Sequence, residues 1–305
     1  MGNKAYSMSG TGPFDVEALI EDARQAQRDG LASYWVGQQL DWDAFSLLAA
    51  LVREVPEIEF GTAVTHLWTA FPVHMAQQAM SVRVLSGGRF TLGIGLEHEP
   101  VMREMWGLDW KRPVAVFSEY LEVVRSLVTT GRVEHEGEFF RIKTAFLRFT
   151  PDPGMQIIVA ALGPRMLRLA GSKADGTTTW MTGPRTIRDH IVPTIRAAAE
   201  EAGRPLPRVI PLMPVAVTEN VRAMQERVTA EMAVYQGMPS YQAMLEREGV
   251  STAGETGLFG SRQQVAEALH ELDEAGATDF GAILFGTEEE QAATRELLRD
   301  LAATR

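Results

Sequence analysis

Three ionisable side chains, Glu97, His98 and Glu99, follow directly after a short apolar stretch that ends in Gly95. Carboxylates and imidazoles transfer protons when they are held beside a reacting group. In α/β enzymes such groups lie just past the carboxyl ends of parallel strands. We therefore expect an acid–base centre here, although an ordinary polar loop would also fit this segment alone. Gly93 and Gly95 lack side chains and are expected to leave room for a flat or bulky group.

The loop after another predicted strand carries two adjacent amides, Gln38 and Gln39. Each amide both donates and accepts hydrogen bonds, which suits binding to the edge of a heterocycle. The same loop holds Asp41 and Asp43, and we expect one of them to cap the helix that follows. Helix capping does not readily account for the two glutamines, so the pattern favours a ligand-binding role for them.

An anion-binding helix start is predicted at Gly163, Pro164 and Arg165. Proline at the first helical position leaves neighbouring N–H groups free, and the helix dipole there favours negative charge. Arg165 and Arg168 add positive charge, so the segment predicts a cradle for a phosphate group. A purely structural junction between strand and helix would look similar, and residues 182–185 repeat the same form.

The composition excludes several classes of protein. The chain has 305 residues and no cysteine, which removes disulfides, thiolate metal sites and a cysteine nucleophile. Its net charge of −11 and the lack of a basic cluster argue against nucleic acid or an anionic membrane as a partner. The spacing of the histidines predicts no metal site, and His66 and His98 are the best placed of them for acid–base work. Because no apolar run could span a membrane and no signal-peptide pattern is seen, we expect a soluble cytoplasmic protein.

Apolar stretches of strand length alternate with helical patterns along the chain. The predicted strands cover residues 4–9, 33–37, 58–65, 89–94, 157–161, 177–181, 209–217 and 281–285. This alternation predicts the α/β class and a single domain over residues 1–305, folded as a (β/α)8 TIM barrel, with a doubly wound sheet as the rival. Insertions are expected after strands 4 and 7. The first is a hairpin over residues 133–142, and the second, residues 235–259, forms either a lid or a plain connection.

Several motifs resemble those of the bacterial luciferase-like superfamily. One is the signature around the fourth strand, and the others are spread over nearly the whole chain. They are Leu85-Ser86-Gly87-Gly88-Arg89-Phe90, Leu92-Gly93-Ile94-Gly95, Gly61-Thr62-Ala63-Val64, Pro72 before Ala76-Gln77-Gln78-Ala79, Ala170-Gly171, Ala174-Asp175-Gly176 and Glu274-Ala275-Gly276-Ala277-Thr278-Asp279-Phe280. Within the superfamily, Ala161-Leu162-Gly163-Pro164-Arg165 and Pro239-Ser240-Tyr241 resemble the branch that uses the deazaflavin coenzyme F420.

The resemblance implies an oxidoreductase with a deazaflavin or flavin at the carboxyl-terminal mouth of the barrel. It implies that the cofactor rings rest on strand three, at a non-prolyl cis peptide between Ala63 and Val64. The cofactor-binding residues would be Gln38, Gln39, Ala63, Val64, Thr65, Gly95, Leu162, Gly163, Pro164 and Arg165. Relatives form homodimers through the second and third helices. Here the apolar residues of the helix at 72–85, among them Met75 and Met80, would face either a partner copy or the barrel.

The chain departs from the family pattern at two strand ends. Many deazaflavin relatives carry Asp-His where this chain has Gln38 and Gln39, and glutamine cannot shuttle a proton. Several relatives place a catalytic glutamate after strand four, and here His98 aligns nearest to it. His98 is therefore the first candidate for the proton donor and Glu97 the second, with Gln39 as a further member of the catalytic group.

The function favoured by the sequence is hydride transfer between coenzyme F420 and a small organic substrate. Two other functions stay open. An FMN-dependent monooxygenase would use the same barrel with a flavin, which activates oxygen as well as carrying hydride. A cofactor-binding protein without turnover would account for the missing histidine after strand two.

Overall fold

The computed structural model describes residues 5–10, 15–40 and 42–304. Within these residues the strands are β1 (Ala5–Gly10), β2 (Ser33–Val36), β3 (Glu59–Thr62), β4 (Thr65–His66), β5 (Phe90–Gly95), β6 (Arg132–Glu136), β7 (Arg141–Phe146), β8 (Ile157–Ala160), β9 (Gly176–Trp180), β10 (Arg208–Val217), β11 (Leu258–Gly260) and β12 (Asp279–Leu284). The helices are α1 (Val16–Arg28), α2 (Ala44–Glu54), α3 (Pro72–Leu85), α4 (Pro113–Thr130), α5 (Pro164–Lys173), α6 (Pro184–Thr186), α7 (Val192–Glu201), α8 (Val221–Glu231), α9 (Ala233–Gln236), α10 (Pro239–Glu248), α11 (Arg262–Glu274) and α12 (Glu288–Ala303). None of the helices described here is both long and apolar enough to cross a membrane.

Parallel pairing closes the main sheet into a barrel. Neighbouring strands follow the order β1, β2, β3, β5, β8, β9, β10 and β12, and β12 pairs with β1 to complete the ring. Helices alternate with these strands and cover the outside, as expected for a parallel sheet that is buried on both faces. The predicted (β/α)8 barrel is confirmed, and each predicted strand overlaps an observed one. Lys4, the first residue of the predicted first strand, lies outside the described residues.

Local sequence signals determine where helices begin. Asp15 caps α1 by accepting a hydrogen bond from the Ala18 N–H at 3.1 Å, and Asp43 caps α2 through the Ser46 N–H at 2.7 Å. Such caps satisfy N–H groups that the first helical turn leaves without partners. Asp43 therefore takes the capping role expected for its loop, while Asp41 lies outside the described residues.

The apolar residues of α3 face the barrel. Met75 and Met80 are almost fully buried within the single chain, which decides between the two orientations that the sequence left open. Three large apolar residues of this region are exposed: Phe71, just before the helix, and Val84 and Leu85, at its end.

Two insertions lie where the sequence predicts them. After β5, strands β6 and β7 form an antiparallel hairpin. The Glu119 carboxylate of α4 holds it by accepting hydrogen bonds from the Phe139 and Phe140 N–H groups at 3.0 and 3.1 Å. After β10 and α8, the helices α9 and α10 precede β11 and lie at the predicted second insertion, residues 235–259.

The amino-terminal half of the barrel interior is filled. Trp35 packs against Gly61, where a Cβ would overlap the indole ring. Arg208 binds Asp279 at 2.6 Å and Glu59 at 3.2 Å, and these three residues are the first of their strands. Because this ion cluster and the indole close one end, the space available to a ligand lies at the carboxyl ends of the strands.

Candidate active site

The end of β3 forms a ledge at the mouth of the barrel. The peptide between Ala63 and Val64 is cis, as the family resemblance implies. Backbone hydrogen bonds join this ledge to the end of β2: the Ala63 N–H donates to the Val36 oxygen at 2.9 Å, and the Gln38 N–H donates to the Val64 oxygen at 3.2 Å. Thr65 then begins β4, which pairs with β5. Three predicted cofactor-binding residues, Ala63, Val64 and Thr65, therefore lie between the ends of β2 and β5.

Glycines of β5 bring that strand close to the ledge. A Cβ at Gly93 would overlap the Thr62 carbonyl oxygen, and a Cβ at Gly95 would lie 2.8 Å from Val64 Cγ2. The Thr62 hydroxyl donates to the Gly93 oxygen at 2.7 Å and accepts from the Gly93 N–H at 2.8 Å. The expectation that Gly93 leaves room for a bound group is therefore wrong, because β3 fills that space. The cofactor-binding role of Gly95 stays a prediction.

Glu97 and His98 lie side by side just past β5. Glu97 Oε1 and His98 Nε2 are 3.9 Å apart, and both side chains are mostly buried. Burial raises the pKa of the Glu97 carboxyl, and a hydrogen bond from the His98 backbone N–H opposes this. Burial lowers the pKa of the His98 imidazole. Glu99 is exposed and binds Arg103 at 2.9 Å, so it stands apart from the pair.

Two tyrosines from the second insertion complete this cluster, and neither was among the site residues predicted from the sequence. The rings of Tyr235 in α9 and Tyr241 in α10 have their centroids 5.5 and 5.6 Å from that of His98, and 5.7 Å from each other. Burial raises the pKa of both hydroxyls, and the charge of Glu97 contributes to the rise. The second insertion thus forms part of the site. Two signals in the sequence pointed to this region: the motif Pro239-Ser240-Tyr241 and the insertion at residues 235–259, for which a lid was one of the two interpretations.

Helix α6 begins with a Gly-Pro-Arg sequence, and its first turn is already capped. The Glu248 carboxylate, at the end of α10, accepts hydrogen bonds from the Arg185 and Thr186 N–H groups at 3.2 and 2.7 Å. A Cβ at Gly183 would overlap this carboxylate. The anion position that the sequence suggests at residues 182–185 is therefore filled by the protein itself.

Helix α5 begins with the same three residue types, but its first turn is open. Gly163 precedes the helix without a side-chain cap, and a Cβ there would meet nothing within 4 Å. Arg165 and Arg168 are exposed, and neither forms an ion pair with any described residue. A hydrogen bond of 2.8 Å from His190 Nε2 to the Leu162 oxygen holds the preceding loop. An anion at this helix start would meet free N–H groups and two nearby cations.

The side chain of Gln38 is used within its own loop. Its oxygen accepts a hydrogen bond from the Ala44 N–H at 3.0 Å, and its amide donates to the Trp42 oxygen at 2.7 Å. Gln38 therefore does help to begin α2, contrary to the sequence-based view that capping does not account for the glutamines. Its amide is not free for the edge of a ligand in this structure. Gln39, by contrast, is exposed.

A polar pocket of about 300 Å³ opens beside Gln39, Thr65 and His66. His66 is buried, its Nδ1 lies 3.2 Å from Thr69 Oγ1, and its ring packs on Trp106 with centroids 5.2 Å apart. Burial lowers the pKa of His66, so this histidine is a neutral wall residue. The pocket adds hydrogen-bonding groups next to the ledge.

The fold and site together define a TIM-barrel protein with an acid–base cluster and an open anion position at neighbouring strand ends. A family model described as luciferase-like monooxygenase matches residues 2–304. The chain therefore belongs to the luciferase-like monooxygenase family, which confirms the resemblance seen in the sequence.

Relatives of this chain include named reductases. It is 29% identical over 249 residues to the phthiodiolone/phenolphthiodiolone dimycocerosates ketoreductase of Mycobacterium sp. (strain JLS), covering 80% of this chain but only 64% of that protein's length. It is 26% identical over 268 residues to the 5,10-methylenetetrahydromethanopterin reductase of Methanolobus tindarius, covering 87% and 77%. The solved structure of the coenzyme F420 dependent tetrahydromethanopterin reductase from Methanopyrus kandleri matches the fold with a TM-score of 0.85 and 19% identity over 99% of each chain. The two sequence relatives are named reductases, and the solved structure shares the fold of this chain.

Proposed function

We propose that this protein is an oxidoreductase that transfers a hydride between coenzyme F420 and a small organic substrate. The supporting observation is that two features lie next to each other. The Glu97–His98 pair follows β5, and the open start of α5 follows the neighbouring strand β8. Because β5 and β8 pair directly, an anion at α5 and a reacting group at Glu97 would lie at adjacent strand ends. The two curated relatives described above are named reductases, which favours hydride transfer over oxygen insertion.

The residues at this mouth fit such a cofactor. The free N–H groups at the start of α5 and the Arg165 guanidinium suit its phosphate, and the space beside Gly163 is open. The remaining candidate binding residues are Gln39, Ala63, Val64, Thr65, Gly95, Leu162 and Pro164, with Gln38 contributing through its backbone. The bound coenzyme supplies the hydride, while the chain supplies orientation, exclusion of water and a proton.

Glu97 is our choice for the proton donor, ahead of His98. Burial keeps the Glu97 carboxyl protonated to higher pH than an exposed glutamate. The same burial keeps the His98 imidazole neutral, and a neutral imidazole is a weak acid. His98 then contacts and orients the carboxyl. This order is the reverse of the one that the sequence favours.

Cofactor titration followed by turnover tests this function. Tryptophan fluorescence is measured as F420 or FMN is added to the purified protein, and we expect F420 to bind at least about tenfold more tightly. The protein should then oxidise reduced F420 in the presence of a substrate without consuming oxygen. Tight FMN binding with oxygen uptake would instead support a monooxygenase, which the name of the family model favours. Binding without turnover of either reduced cofactor would support a non-catalytic binding protein.

We also propose a homodimer formed through α2 and α3. Val84 and Leu85 are exposed apolar residues at the end of α3, and Phe71 is an exposed apolar residue at its other end. Light scattering during gel filtration should give twice the chain mass for the wild type and the chain mass for Val84→Glu. A wild-type monomer at micromolar concentration would contradict this interface.

A further inference from the structure

We propose that the Tyr241 hydroxyl binds the oxygen atom of the substrate, and that this substrate is an uncharged ketone, or the matching secondary alcohol, with an apolar body. The inference rests on the proposed hydride transfer and specifies the substrate class of the same site.

Tyr241 is buried, yet its hydroxyl has no partner. The residue is 7% exposed and packs against the rings of both His98 and Tyr235. Among the described residues nothing forms a hydrogen bond with its hydroxyl, although this oxygen is not one of the fully enclosed polar atoms. Buried hydroxyls normally have a partner, because leaving one unpaired costs free energy. An unpaired hydroxyl that is not fully enclosed and lies beside an acid–base pair indicates a position for a ligand oxygen.

The helix that carries Tyr241 is fixed to the barrel. Glu248 joins the end of α10 to the start of α6, and the Thr186 hydroxyl donates to the Met244 oxygen at 3.4 Å. Gly249 ends the helix in a left-handed conformation, with φ 82°. A donor on a fixed helix can orient a substrate, because its position does not depend on a flexible loop.

The hydroxyl is a hydrogen-bond donor throughout the physiological pH range. Burial, followed by the neighbouring Tyr235 and Glu97, raises the pKa of Tyr241 well above its usual value. Burial raises the pKa of the Glu97 carboxyl, and in its protonated form this carboxyl is a second donor in the same cluster. Two donors of this kind suit an oxygen on which negative charge develops.

The surroundings of Tyr241 favour an apolar, uncharged compound. Met181, Leu245 and Ala253 are buried around it, and Leu162 and Met238 pack against the same cluster. In the described part of the chain, Glu97 has His98 as its one ion-pair contact, and no lysine or arginine contacts it. A substrate carboxylate near the reacting carbon would lack a counter-charge, which makes its binding costly.

The reaction then balances as follows. The carbonyl carbon of the substrate gains a hydride from a reduced deazaflavin, which loses two electrons. The C=O π bond breaks and its electron pair moves to the oxygen. The oxygen takes the proton of Glu97 while it accepts a hydrogen bond from Tyr241, and the product is a secondary alcohol. Glu97 regains its proton from solvent.

The test compares Tyr241→Phe with the matched control Tyr34→Phe, both in the protein loaded with F420. The Tyr34 hydroxyl binds Asp22 of α1 at 2.7 Å and is not part of the proposed site. The substrates are 2-octanone and 7-oxooctanoate, which carries the same methyl ketone on a chain that ends in a carboxylate. We expect the wild type to prefer 2-octanone by at least about tenfold in kcat/KM. Tyr241→Phe should lower kcat/KM by about 100-fold, and Tyr34→Phe by less than about threefold. Calorimetric titration with 2-octanol should show about fivefold weaker binding to Tyr241→Phe, with F420 affinity unchanged.

Each contrary result overturns a stated part of this inference. If Tyr241→Phe keeps the kcat/KM and the 2-octanol affinity of the wild type, the proposed role of the Tyr241 hydroxyl is refuted. Equal use of 7-oxooctanoate would refute the preference for uncharged substrates. If the wild type binds F420 and reduces only carbon–carbon double bonds, the ketone class is wrong although hydride transfer stands. Failure of the wild type to bind F420 refutes the proposed function itself.

Discussion

Replacing Gly93 with alanine tests how β5 positions the ledge that carries Ala63 and Val64. The new Cβ would overlap the Thr62 carbonyl oxygen, and it would lie 3.1 Å from the Thr62 carbonyl carbon and 3.2 Å from Val64 Cγ1. These atoms belong to the backbone or to a stiff β-branched side chain, so a change of rotamer cannot relieve the overlap. The end of β3 must therefore move away from β5.

The structure allows an estimate of the cost. Adding volume to a packed interior costs about 1–3 kcal/mol. Moving β3 also breaks the two hydrogen bonds between Thr62 and Gly93, at about 1 kcal/mol each. We therefore expect Gly93→Ala to lower the free energy of unfolding by about 3–5 kcal/mol. Because Val64 moves with Thr62, we also expect cofactor affinity to fall by at least about tenfold.

Gly163→Ala is the matched control. Its new Cβ meets nothing within 4 Å, and its φ of −76° is ordinary for alanine, so the free energy of unfolding should change by less than about 1 kcal/mol. Urea unfolding of the cofactor-free variants, followed by tryptophan fluorescence and circular dichroism, measures both changes. Equal unfolding midpoints for the two variants would refute the reasoning. If Gly93→Ala does not fold, Thr62→Val removes the same two hydrogen bonds without adding volume, and we expect a loss of about 1–3 kcal/mol.

Other predictions concern the acid, the second insertion and the anion position. Glu97→Gln should lower turnover by about 100-fold or more. The wild-type rate of substrate reduction should fall as the pH rises through the raised pKa of Glu97, and the pH–rate profile of the variant should lack this fall. Glu97→Gln should also raise the calorimetric Tm at alkaline pH, because ionising a buried carboxyl of raised pKa destabilises the folded state. This gain in Tm should shrink as the pH falls below the pKa of Glu97 in the folded and in the unfolded protein. An equal gain in Tm at all pH values would contradict the prediction. Glu248→Gln should loosen α10, so that KM rises and limited proteolysis within residues 235–260 becomes faster. Unchanged proteolysis would argue against the attachment of α10 to α6 through Glu248. Arg165→Ala and Arg168→Ala should each weaken F420 binding by about fivefold in a salt-dependent way, whereas Arg185→Ala should not, since Glu248 occupies that helix start.

Local patterns were enough to predict the eight barrel strands of this fold. Apolar runs mark the barrel strands because their side chains are buried on both faces. Asp43 was identified as a candidate cap because capping depends on residues only three positions apart. The resemblance to the family predicted one feature that local patterns do not, the cis peptide between Ala63 and Val64, which the structure shows.

The composition of the site was predicted less completely, because it depends on contacts between distant segments. Residues 163–165 and 183–185 share one sequence, and only the placement of α10 shows that Glu248 fills one of the two helix starts. The amide of Gln38 looked free in sequence, but the turn of its loop brings it to Ala44.

By itself the sequence determined the barrel, its two insertions and the strand ends at which acid–base and anion-binding groups stand, because these follow from periodicity and from neighbouring residues. Only the tertiary structure decided which groups lie together and how their environment shifts their pKa values. Tyr241 meets His98 because the second insertion folds back over the mouth of the barrel. Burial raises the pKa of the Glu97 carboxyl and lowers that of the His98 imidazole, because in each case it disfavours the charged form. The burial of a group depends on every segment that packs around it, so the residues next to that group in sequence do not determine its pKa.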